Sequence, residues 1–304
     1  MAPVQSQVRM SCWVSATHTR NFMLNDHLSD VLKARAGEHH GHISKDSFNN
    51  YIMNTGTVFE KELVEFIRCQ LTPIVSVSDR ITDDSVAKTI ELMNAGVPVI
   101  HSAPVVNETN HTRGIIDLLV RSDYVDKIMV TPPEIVQCGS PNLCGSPSYH
   151  YIVIDIKFST LPLAADGIHL LNSSNYPAYK AQCLIYTQAV GLIQGYTSDT
   201  ACILGRRWKR TQKGVTSRSD LCLERLGVID YAGYDKRYVE QTEDALQWVR
   251  DVRKFGKTWS LNPPSRPELY PNMCIDSEQY NTEKGQIADL LGEITSVWYC
   301  GVKN

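Results

Sequence analysis

The chain has 304 residues, of which 42% are hydrophobic and 21% are charged, a balance typical of globular proteins that bury a core. Its formal net charge of -3 excludes binding of polyanions through overall charge, so a contact with nucleic acid requires a local basic patch. No stretch reaches the roughly 18 apolar residues of a membrane helix, and residues 1–16 lack the apolar centre of a signal peptide. We therefore expect a soluble, intracellular protein without a membrane partner.

The first part of the chain is predicted to be helical. A short periodic segment spans 24–32, and a stronger amphipathic pattern with Val58, Leu63 and Phe66 predicts a helix over 57–68. A further helix is predicted over 83–95, capped by Asp83 or Asp84 and ended by Gly96.

Cysteine and histidine residues give no convincing metal site of their own. Nine scattered cysteines without a C-x-x-C pair predict reduced thiols, and the half-site formed by Cys138 and Cys144 has no second pair to complete a zinc site. Clustered histidines in a polar segment are expected to be exposed to solvent, and two isolated ones are expected to be structural. The clustered ones are His39, His40 and His42, and the isolated ones are His101 and His111.

The hydrophobic period then changes from helix to strand. Strands are predicted over 98–106, 113–122 and 149–159, followed by a helix over 176–193 and a strand over 200–205. The order strand, helix, strand predicts a mixed sheet with a crossover helix. From about residue 220 the pattern is helical and polar, without repeats.

Two predicted strands carry charges among apolar residues. Asp117 interrupts the second strand, and Asp155 and Lys157 interrupt the third. Side chains two residues apart share a face, so Asp155 and Lys157 stand side by side, with Ile156 facing the other way. Because burial of charge is costly without a partner or an ion, the pattern predicts either a structural salt bridge or a chemical site.

The acids suit a magnesium site. Asp117, Asp155 and the carbonyl of Ile156 can supply oxygen ligands from neighbouring strands, and a third acid, Glu60, lies in the upstream helix. Lys157 can then orient a water nucleophile or offset charge in the transition state, which favours phosphodiester hydrolysis. A glycosidase also uses two acids, but it has no evident need for a lysine two residues from one of them.

The segments Gly114-Ile-Ile-Asp117, Asp155-Ile-Lys157 and Gln182-Cys-Leu-Ile-Tyr186 together resemble the RecB-type branch of the PD-(D/E)XK nuclease superfamily. The resemblance implies a restriction-endonuclease-like α/β core with a central mixed sheet flanked by helices. That core is expected over 51–215, with a helical N-terminal extension over 1–50 and a helical C-terminal region over 216–304.

The resemblance also implies roles for individual residues. Asp117 and Asp155 would bind Mg²⁺ or Mn²⁺, Lys157 would serve the attacking water, and Gln182 and Tyr186 would line the site and contact the substrate backbone. Glu60 stands where the family often has a histidine, in Gly56-Thr-Val-Phe-Glu60, and keeps a metal ligand possible. The clustered cysteines of iron-sulfur members are missing from the C-terminal region, so no iron-sulfur cluster is expected.

The expected substrate is DNA with single-stranded character, processed in repair, recombination or replication. A basic run after the strand over 200–205 is expected to contact the phosphate backbone; it contains Arg206, Arg207, Lys209 and Arg210. Many relatives are modules of longer proteins, so a helicase or further domains are expected as possible companions. Two alternatives stay open: an RNA endonuclease, and a catalytically idle module that binds nucleic acid or a partner.

Overall fold

The computed structural model describes residues 13–36, 47–297 and 300–301. Its helices are α1 (Arg20–Met23), α2 (His27–Ala36), α3 (Ser47–Gln70), α4 (Asp83–Asn94), α5 (Val125–Ile128), α6 (Tyr176–Gln194), α7 (Arg237–Phe255) and α8 (Asn281–Leu291). Its strands are β1 (Val14–Ser15), β2 (Ile74–Ser76), β3 (Val99–Asn107), β4 (Thr112–Arg121), β5 (Tyr151–Leu163), β6 (Thr200–Gln212), β7 (Val215–Ser219) and β8 (Gly227–Asp230). His39, His40 and His42 lie outside the described residues.

All of these strands join one mixed sheet. Its main path is β2-β3-β4-β5-β6-β7, with β1 paired to β4 and β8 paired to β6. The β5–β6 pair is parallel and is connected through α6, whereas β3–β4 and β4–β5 are antiparallel. The prediction of an α/β fold with a central mixed sheet and a crossover helix is therefore confirmed.

Helices cover both faces of the sheet. On one face, α6 and α7 contribute Ala181 and Val249 to a core that contains Val153 of β5. On the other face, α3 contributes Ile67 to a core that contains Ile154. Because both faces of β5 are buried, this strand reads as a nearly continuous apolar run, and its two charges stand out.

The helix boundaries differ from the sequence-based ones where local capping decides. The N-cap of α4 is Thr82, which forms a reciprocal capping box with Ser85, so the prediction of Asp83 or Asp84 as the cap is wrong. Gly96 follows this helix with φ of 69°, as its role as a stop signal predicted. No helix in the described part of the chain is both long and apolar enough to cross a bilayer.

The sheet extends further along the chain than predicted. Strand β6 continues through the basic run and turns at Lys213 and Gly214, whose φ values of 50° and 78° allow a tight two-residue hairpin into β7. Strand β8 also lies within 216–304, where only helix was expected. Its four residues are too few to show a strand period.

Candidate functional site

Strands β4 and β5 separate where their aspartates face each other. Their antiparallel pairing ends at Leu118↔Ile154, and the same register would place Asp117 opposite Asp155. Oδ2 of Asp117 instead accepts a 2.7 Å hydrogen bond from the backbone N–H of Ile156. A regular ladder would give this donor to a backbone carbonyl. The Asp117 carboxylate therefore lies in the gap between the two strands.

A local irregularity turns Asp117 toward this gap. On the neighbouring strand Ser102 has φ of 48°, and the β3–β4 register skips the pair Ser102↔Asp117. Regular alternation would place Ile116 and Leu118 on one face, yet Ile116 belongs to the core beneath α6 and Leu118 to the core beneath α3. The side-chain alternation of β4 is therefore interrupted at Asp117. This interruption explains why the Asp117 side chain points toward β5 instead of into the core on either face.

Asp155 and Lys157 form an ion pair on one face of β5, as predicted from their spacing. Nζ of Lys157 lies 2.7 Å from Oδ2 of Asp155; the aspartate side chain is fully buried and a fifth of the lysine side chain is exposed. The ammonium also lies 4.9 Å from the centre of the Tyr179 ring. Lys157 therefore spans from a buried carboxylate to the surface of the site.

Helix α6 places Gln182 and Tyr186 against this pair. Nε2 of Gln182 lies 3.3 Å from Oδ1 of Asp155 and donates to the Tyr186 hydroxyl at 3.0 Å. A Cβ at Gly114 would lie 2.1 Å from Cε1 of Tyr186, so only glycine leaves room for this ring. The three predicted segments thus meet in space, and the glycine ahead of Asp117 has a steric reason.

Glu60 approaches the site from α3 and has a partner that sequence reasoning missed. Its Oε1 lies 3.2 Å from Nε2 of His101, whose Nδ1 lies 2.9 Å from Oγ of Ser76. The negative charge of Glu60 also raises the pKa of Asp117. His101 stands on a different strand from the acids, in no recognisable motif, so only the packing of α3 against the sheet brings it here.

The electrostatics of the site are dominated by acids. Burial raises the pKa of Asp117 well above its ordinary value, and the charge of Asp155 raises it further, while Lys157 lowers it. The charges of Asp155 and Asp117 outweigh burial and raise the pKa of Lys157, so this side chain is a cation. The raised pKa of Asp117 means that this carboxyl group retains a proton more readily, which offsets part of the negative charge of the site unless a cation binds.

The donor chemistry of the site fits Mg²⁺ or Mn²⁺. Asp117 and Asp155 offer carboxylate oxygens, and the carbonyl of Ile156 faces the same gap as its N–H because both groups of one residue point to one strand edge. No cluster of three or more His, Cys, Asp or Glu side chains within the described ranges is arranged to hold a metal. Magnesium commonly takes only one or two carboxylates and completes its shell with water and substrate phosphate.

The basic run over 206–210 does not form one patch in a loop after a strand, because these residues are part of β6. Arg206 stacks over Phe158 at 4.6 Å, and Arg207 pairs with Asp220 at 3.0 Å. Lys209 is exposed on the hairpin, whereas Arg210 lies against Gly167 on the other side. The alternation of a strand therefore divides the four cations between different surroundings.

Comparison with known proteins found no match, either to a protein-family model or to a curated protein. The functional assignment therefore depends on the residues and their geometry.

Proposed function

We propose that the protein is a nuclease that hydrolyses phosphodiester bonds of DNA with Mg²⁺ or Mn²⁺ as cofactor. The observation that carries this proposal is the gap between β4 and β5, where the carboxylates of Asp117 and Asp155 meet beside the ammonium of Lys157. Two buried acids with excess negative charge favour a divalent cation. A lysine that extends to the surface suits reaction with a bound phosphodiester.

Each side chain has a distinct proposed role. Asp117, Asp155 and the Ile156 carbonyl would hold the cation, and Glu60 on α3 would add negative charge beside Asp117. When bound, the cation supplies Lewis-acid polarisation of a phosphoryl oxygen and neutralises its charge. Lys157 orients the attacking water and offsets charge that develops in the transition state. Gln182 positions the Asp155 carboxylate through its 3.3 Å contact.

The substrate path is proposed to run from the site toward the β6–β7 hairpin. Arg206 stacks on Phe158, the residue after Lys157, and the Phe158 ring packs against Phe59 of α3. Lys209 is the cross-strand neighbour of Arg218, so these two cations share one face of the hairpin. Such a path would bind the phosphate backbone without reading sequence, and it suits single-stranded DNA.

The test is a cleavage assay with linear, circular, single-stranded and double-stranded DNA and with RNA, in Mg²⁺, Mn²⁺ or EDTA. We expect metal-dependent cleavage of DNA, and loss of about a hundredfold or more in rate in Asp117→Asn, the scale of removing one key electrostatic group. Asp126→Asn is the matched control, because Asp126 is exposed and pairs with Lys127 outside the site.

Three results would contradict the proposal. Cleavage that persists in EDTA or in Asp117→Asn would exclude the proposed centre. Cleavage of RNA alone would replace DNA with RNA as the substrate and support the endonuclease alternative. Binding of nucleic acid without cleavage under any metal condition would identify a catalytically idle module.

A further inference from the structure

A second concave site lies apart from the acidic centre, beside the N-terminal helices and α7. It is a cavity of about 350 Å³ between the turn Ala16–Thr19 and helices α1, α2 and α7. Its lining includes Arg20, Lys33 and Arg253 together with His18 and Asp30. A volume of this size lies at the lower end of small-ligand pockets.

The cavity is electropositive. Among the described lining residues, three cations from three different helices accompany one carboxylate, Asp30, which gives them a formal charge of +2. The pKa of His18 is lowered to about 4 by burial and by the charges of Arg253, Lys33 and Arg113, so the imidazole is neutral near pH 7. The charges of Arg253, Lys33 and Arg113 act on His18 in the direction expected of an electropositive surrounding.

Asp30 forms part of the wall and holds two elements together. Its Oδ1 accepts a 2.7 Å hydrogen bond from Asn21, and its Oδ2 accepts a 2.9 Å bond from the indole of Trp248. Both oxygens are thus engaged by neutral donors on α1 and α7. Burial raises the pKa of this carboxyl group to about 6, which further weakens its competition with a bound anion below neutral pH.

The arginines are held in place by the surrounding fold. Arg253 donates to the backbone carbonyl of Trp13 at 2.8 Å, and its other terminal nitrogen lies 2.9 Å from Nδ1 of His18. Arg20 donates to Oδ1 of Asn175 at 3.0 Å, a contact that uses one of its five donors. Guanidinium groups that are positioned in advance bind phosphate oxygens with geometric specificity.

We propose that this cavity binds a phosphomonoester group. A phosphomonoester carries a charge of about −1.5 to −2 at pH 7 and has three strong acceptor oxygens. It therefore matches a lining of charge +2 better than a ligand with a single carboxylate group would. Val249 and Val252 add an apolar wall for the group attached to the phosphate. The source is either a small phosphorylated molecule or the 5′-phosphate of a nucleic acid strand. The proposal is independent of the acidic site.

The test uses the full chain in EDTA, so that cleavage plays no part. The probes are inorganic phosphate, a 5′-phosphorylated oligonucleotide and the same oligonucleotide with a 5′-hydroxyl end, each at ionic strength matched with KCl. Binding is measured by calorimetry, and thermal unfolding reports protection. The variant is Arg20→Gln/Lys33→Gln, since both side chains are exposed. The control is Lys88→Gln/Lys127→Gln, which removes two exposed cations elsewhere.

We expect inorganic phosphate to bind and protect the wild type and the control. Its affinity should fall about tenfold or more in the cavity variant, since the loss of even one of the two removed charge-assisted contacts has an effect of this size. Preference for the 5′-phosphorylated oligonucleotide that disappears in the cavity variant would identify a strand end as the ligand. Equal binding of both oligonucleotides, with protection by inorganic phosphate, would identify a small phosphorylated molecule. Phosphate affinity that is absent in the wild type, or equal in wild type and cavity variant, would overturn the proposal.

Discussion

Replacement of Lys157 by methionine removes the ammonium and keeps much of the side-chain volume. Asp155 is fully buried and its Oδ2 lies 2.7 Å from Nζ of Lys157, so the variant leaves a buried carboxylate without this cation. Loss of one partner from a buried ion pair lowers the free energy of unfolding by about 3–5 kcal/mol. Because a fifth of the Lys157 side chain is exposed to water, we expect the lower end, about 3 kcal/mol.

The size of this loss depends on pH. Lys157 lowers the pKa of Asp117 against the larger effects of burial and Asp155, so removal of the ammonium raises that pKa further. A carboxyl group with a raised pKa binds its proton more tightly in the folded state. The loss in free energy of unfolding caused by Lys157→Met is therefore small below the ordinary aspartate pKa of about 4. It grows as the pH rises toward the raised pKa of Asp117 in the folded state.

Urea unfolding in EDTA near pH 4 and near pH 8 measures both effects, with Lys88→Met as the control because Lys88 is an exposed lysine paired with Glu91. Mg²⁺ or Mn²⁺ should restore stability to Lys157→Met, since a cation replaces the missing charge; a hundredfold excess over the dissociation constant adds about 2.7 kcal/mol. A loss below about 1 kcal/mol that does not vary with pH would mean that water screens the pair. A variant that gains nothing from either metal would refute the cation site.

Two further variants test the geometry of the site. Gly114→Ala should lower the free energy of unfolding by about 1–3 kcal/mol, because a Cβ 2.1 Å from Tyr186 overpacks the core. Urea unfolding should show partial recovery of stability when Tyr186→Leu is added. A Gly114→Ala variant as stable as the wild type would exclude this packing. His101→Ala should weaken Mg²⁺ binding about 10–100-fold in calorimetry, because Glu60 loses the partner that orients it. The control variant His111→Ala should bind Mg²⁺ like the wild type. Equal Mg²⁺ affinities in the two variants would leave His101 without a role at the site.

The centre of the fold could be predicted because its signals are local. The alternation in β5 places Asp155 and Lys157 on one face, and the apolar residues around them identify a buried strand. The crossover from β5 through α6 to β6 follows from the order of the elements alone. These features depend on the spacing of neighbouring residues, which a sequence displays directly.

The remaining features depend on contacts between distant segments. The Asp117 side chain points toward β5 because of the irregular backbone at Ser102 on another strand. His101 contacts Glu60 only because α3 packs across the sheet. The hairpin could not be predicted for a different reason: five cations between residues 206 and 213 leave little apolar alternation, and one of them, Lys213, forms the turn with Gly214. Polar composition indicates exposure to solvent, but an exposed hairpin strand is as polar as a loop.

Other buried lysines in this protein show what a structural ion pair looks like. Lys180 pairs with Asp235 at 2.6 Å, and its ammonium also donates to Leu170 O and Asn172 Oδ1, both at 2.8 Å. Lys284 likewise donates to three oxygen acceptors, among them Asp26 at 2.7 Å. In both cases an ammonium has as many acceptors as it has protons, and the buried charge is fully satisfied.

Lys157 differs from these two lysines in a way that favours a functional role. Its ammonium contacts one carboxylate and an aromatic ring rather than three oxygen acceptors. Two further acids lie nearby: Asp117 is buried beside Asp155, and Glu60, with about a third of its side chain exposed, acts on Asp117. A pair formed for stability alone would not need a second buried acid beside it, because burial and the charge of Asp155 raise the pKa of Asp117 well above its ordinary value. A cation bound between Asp117 and Asp155 would offset this cost, and the exposed part of Lys157 would then face the substrate of the proposed reaction.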